Sequence, residues 1–80
     1  MAFIHTELDT GMLFAERAKT ERATGNEEGA QRNIGLAREA YDQAQVRMSQ
    51  CERLHAPEAF DSAQDKSYSL LALIQAFAAG

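Results

Sequence analysis

Cys51 and His55 stand four positions apart with Glu52 beside the cysteine, a spacing that a helix turns to one side. A thiolate and an imidazole nitrogen are half of a tetrahedral zinc site, which needs four ligands. The other histidine, His5, lies at the opposite end of the sequence, so only a fold that returns residue 55 towards residue 5 would add it. The ligand set is incomplete, and no metal or cofactor is expected. Metal or small-ligand binding at Cys51 and His55 stays as an alternative to packing. On the packing reading, Cys51 is a small reduced core residue and His55 sits well with the negative end of a helix dipole. A single cysteine makes no intrachain disulfide, which fits a reducing compartment, and the expected location is the cytoplasm.

Catalytic parts are scarcer still. A nucleophile needs a base and a group to stabilise developing charge, held together in a pocket. Ser49, Ser62, Ser67 and Ser69 belong to no such motif, and no glycine-rich phosphate loop occurs. The adjacent carboxylates Glu27 and Glu28 are better placed as first-turn charges of a helix, where the backbone dipole favours them. The chain is therefore expected not to be an enzyme.

What remains is surface. Leu13 falls off the apolar face of its helix, and in the stretch from Leu70 to Ala79 only Gln75 is polar, so Leu73, Ala72 and Ala76 spill past the face that two neighbours could cover. Leu13, Leu73 and Phe77 are the candidate partner-binding residues. The chain is expected to act as a non-enzymatic interaction module receiving a partner helix or peptide. Self-association into a homodimer through Leu70 to Phe77 is the alternative within the same physics.

The totals narrow the partners. Twelve acidic residues against eight basic ones leave a net charge of −4, which would repel a phosphate backbone or an anionic lipid surface. Nucleic acid and membrane are therefore not expected partners. Leu70 to Ile74 is the longest apolar run, far short of the ~20 residues that a membrane-spanning helix needs. Met1 to Ile4 is followed at once by His5, Thr6 and Glu7, and no secretion signal is expected.

The elements that carry these residues are helices, since no stretch alternates apolar and polar residues with β-branched enrichment. Thr6 and Asp9 form a Thr-x-x-acid cap that predicts a first helix over 6–24, with Leu8, Gly11, Met12, Phe14, Ala15 and Ala18 on its inner face. Gly25 and Asn26 end it and start the next. From Ala30 to His55 small residues (Ala30, Ala37, Ala44, Cys51) alternate with larger ones (Ile34, Tyr41, Met48, His55) along one stripe, predicting a helix over 27–55 that is ~43 Å long. Pro57 opens a third, over 57–79. The expected fold is all-α: one domain over 1–80, an antiparallel up-down-up three-helix bundle with a long central helix. Because that helix outruns the first, its seam near Tyr41 to Cys51, or part of the third helix, should stay incompletely covered.

Phe14, Ala18, Gly25, Ala30, Ile34 and Ala37 resemble the spacing of the tetratricopeptide repeat family around its helical hairpin. Arg17, Glu21 and Asp42 depart from it at the usual leucine, aromatic and proline slots. With one further long helix, the chain is similar to MIT domains, three-helix modules of related shape. The resemblance implies binding of short peptide segments in a groove between helices.

Overall fold

The computed structural model describes residues 2–50 and 57–80. They form α1 (Ala2–Ala23), α2 (Glu27–Gln50) and α3 (Pro57–Ala79), an antiparallel three-helix bundle measuring 46 × 16 × 14 Å.

The first hairpin closes by hydrogen bonds that the sequence forecasts well. Gly25 takes φ 87°, the left-handed region that costs a side chain dearly and glycine little. Its N–H donates to the Arg22 carbonyl (3.1 Å) and that of Asn26 to the Glu21 carbonyl (2.8 Å), the two bonds of a Schellman ending. Asn26 also caps α2: its Oδ1 accepts from the Gly29 N–H at 3.0 Å, and its Nδ2 donates to Glu21 Oε2 at 2.6 Å. One residue thus ends one helix and starts the next. Gly25→Ala is expected to cost about 1 kcal/mol. No neighbouring atom would meet the new Cβ, so the cost is backbone strain alone. Urea denaturation would read it as a lower midpoint at an unchanged m-value.

The first helix begins earlier than the cap at Thr6 predicts. It already includes Ala2, and Thr6 is an exposed residue within it. The local cap signal is outweighed by burial: Ile4, one turn before Leu8, is 2% exposed and continues the same stripe into the core. Asp9, expected to reach back to the cap, instead accepts from Lys66 Nζ at 3.0 Å across to α3.

Among the described residues, this earlier start covers the central helix where a gap was expected. α1 has 22 residues and the described part of α2 has 24, so the two run nearly level. Ala44 is fully buried and Met48 is 5% exposed, with Tyr41 half-buried against them. The seam is covered as far as Met48, and its remaining positions, Cys51 and His55, lie outside the described residues, as do positions 51–55 of the predicted helix. Among the described residues, α1 packs more extensively on each of the other two helices than they pack on each other.

Gly11 shows why α1 can serve both neighbours. A Cβ there would lie 2.6 Å from Leu70 Cδ2 and 3.0 Å from Ala40 Cβ, so the absent side chain admits α3 on one flank and α2 on the other. Along α3, Ala63, Ser67, Leu70 and Ile74 form the buried stripe. The Ser67 hydroxyl is satisfied inside the core by donating to the Gln64 carbonyl at 2.8 Å.

Candidate functional site

The α1/α3 contact is tight in its middle and open near the first hairpin. Leu70 seats on Gly11, and one turn away Lys66 pairs with Asp9. Beyond that point α1 offers Ala15 and Lys19 while α3 offers Leu73 and Ala76, and two alanines and a solvent-seeking lysine cannot fill the space. A cleft of about 200 Å³ results, lined by Ala15, Lys19, Arg22, Leu73, Ala76, Phe77 and Gly80. Its apolar walls include Leu73 and Phe77, both partly buried and packed on the core.

Two of the three residues predicted for partner binding therefore meet here. Leu13 does not. It is 49% exposed and projects roughly opposite Ala15 on α1, outside the cleft. Val46 and Tyr68 are also exposed, on α2 and α3, and isolated apolar side chains of this sort are ordinary on protein surfaces.

Arg22 is the residue that sequence reasoning missed. Its Nη1 donates to the Phe77 carbonyl at 2.7 Å, and its guanidinium carbon stands 3.7 Å from the centre of the Phe77 ring. Its Nε and Nη2 donate, each at 2.9 Å, to the two carboxylate oxygens of Glu27. One side chain from the end of α1 thus joins the first turn of α2 to the last turns of α3, and it fixes the Phe77 ring as a wall of the cleft. The available signal was a basic residue in the last turn of α1, five positions before an acidic residue that opens α2. It names Glu27 but not Phe77, because nothing local records which ring the third helix brings back.

Hydrogen bonds from Arg22, and then from Gln31, pull the Glu27 carboxyl down to about 2, while the bond to Glu27 raises Arg22. Because the folded value lies below the ordinary carboxylate one, this pair contributes stability above about pH 4.5 and loses it as pH falls towards 2. Glu27→Gln is therefore expected to lower Tm at pH 6 by a few degrees and to melt with wild type near pH 2. A gap in melting temperature that stays constant across that range would contradict the pairing. Arg47 with Glu7 and Lys66 with Asp9 are further ion pairs that join helices.

Cys51, Glu52 and His55 lie outside the described residues. Among the described residues no group of three histidine, cysteine or acidic side chains is arranged to hold a metal ion. No helix of the described residues is long and apolar enough to cross a membrane. No protein-family model, curated protein or solved structure matches the chain.

Proposed function

We propose that this protein is a non-enzymatic helical interaction module that receives an apolar segment of a partner peptide or helix in the α1/α3 cleft. The observation that carries this reading is the cleft itself: Leu73 and Phe77 stay accessible there while the neighbouring core positions Leu70 and Ile74 are closed. At about 200 Å³ it is smaller than the ~300–1,000 Å³ of pockets that enclose small ligands, and suits one or two anchoring side chains. A peptide supplies those at regular spacing, as in helix-in-groove recognition. Self-association is less well supported, because Leu70 and Ile74 are already spent in the core of the single chain.

The test fills the cleft without touching the core. Ala76 is exposed and lines the cleft, so Ala76→Gln blocks it and keeps a helix-compatible residue. Affinity capture by wild type and by the variant is compared, with light scattering on both. A monomeric wild type whose captured proteins are lost by Ala76→Gln supports the proposal. Capture of the same set by both removes the cleft as the site, and a wild-type dimer that the variant splits makes the occupant a second copy.

A further inference from the structure

Phe77 has a second side. Opposite the α1/α3 cleft, a shallow depression between α2 and α3 is lined by Arg22, Gln31, Ile34, Gly35, Arg38, Phe77 and Ala78. The chain as a whole is acidic, with 12 carboxylate side chains against 8 cations, yet neither depression beside Phe77 has an Asp or Glu side chain in its lining. Both have cations: Lys19 and Arg22 on one side, Arg22 and Arg38 on the other. Arg22 is neutralised by Glu27. Lys19 and Arg38 are exposed.

We infer that the occupant is an acidic, apolar peptide that crosses the Phe77 end of α3, with an apolar side chain between Leu73 and Phe77 and carboxylates over Lys19 and Arg38. This rests on the docking role proposed for the α1/α3 cleft. The bundle is 16 × 14 Å in cross-section, so about five extended residues reach from one flank of α3 to the other. The cations set partner choice more than total affinity, because exposed charge pairs contribute little each but penalise a like charge. At physiological salt the repulsion from the remaining acidic surface is screened beyond about 8 Å, whereas contacts at the rim persist.

Two synthetic amphipathic peptides with the same leucine and alanine face, one carrying glutamates and the other lysines, test this by amide-resolved NMR titration. The glutamate peptide should bind wild type roughly fivefold more tightly and shift Leu73 and Phe77. In the double variant Lys19→Glu/Arg38→Glu, whose sites are exposed, the preference should reverse with Tm unchanged. At high salt the two peptides should converge. Equal or tighter binding of the lysine peptide at Leu73 and Phe77 would overturn the acidic partner and leave the docking role standing. No shift at those two residues with either peptide would overturn both.

Discussion

Replacing Leu8 with alanine is expected to cost about 2–5 kcal/mol of folding free energy. Leu8 is fully buried, one of the largest such side chains, and it lies in the core that α1 forms with its neighbours. Truncating it removes the transfer energy of the lost carbons and leaves a cavity in a core where nearly half of the buried residues are alanines, which cannot lean in to fill it. An 80-residue domain has ~4–12 kcal/mol in total, so the variant should lose a large fraction of its stability. Thermal melts would read a fall in Tm of about 8 °C or more, at 4–8 °C per kcal/mol. Leu13→Ala, the same change on the same helix at a site that is 49% exposed, should stay within about 0.5 kcal/mol of wild type. Equal effects at the two positions would mean that α1 does not present the face described.

Gly11→Leu should destabilise by about 3 kcal/mol, for the opposite reason of overpacking. The first atom of the new side chain would already lie 2.6 Å from Leu70 Cδ2, and Leu70 has no exposed surface into which to retreat. Ala40 Cβ at 3.0 Å closes the other side, so relief requires that α1 move away from both neighbours. Gly35→Ala is the matched control. It too lies within a helix, but no atom stands within 4 Å of its would-be Cβ, and the gain in helix propensity should stabilise by about 0.5–1 kcal/mol. Glycine to alanine is favourable or not according to what lies opposite, and paired urea titrations of the two variants would return opposite signs.

These two glycines mark the border between local and tertiary information. Sequence reading places Gly11 on the inner face of the first helix and Gly35 inside the second, and both positions are right. It does not separate a glycine that admits two helices from one facing open space, because that difference belongs to the partners. The same holds at the candidate site. Leu73 and Phe77 are legible as apolar residues in excess of what two neighbours can cover, and the structure brings them to one cleft. Leu13 carries the same signal and lies elsewhere, since excess apolar character tells that a residue is uncovered, not beside what it sits. Arg22 is invisible on these terms, as its ring and carbonyl partner is Phe77, 55 positions away.

The sequence by itself determined the three helices, their order, the break at Gly25 and Asn26 and the start of α3 at Pro57. Those depend on spacing, on the left-handed glycine at 25, on the cap at Asn26 and on the proline at 57, all of them interactions within a few residues. Only the tertiary structure decided where α1 begins, that α1 packs most extensively among the described residues, and that the uncovered surface lies between α1 and α3. Burial of Ile4 outweighs a local cap, and the absent side chain of Gly11 draws α3 in. Beyond that contact Ala15 and Ala76 are too small to close the seam, which leaves the cleft where Leu73 and Phe77 meet.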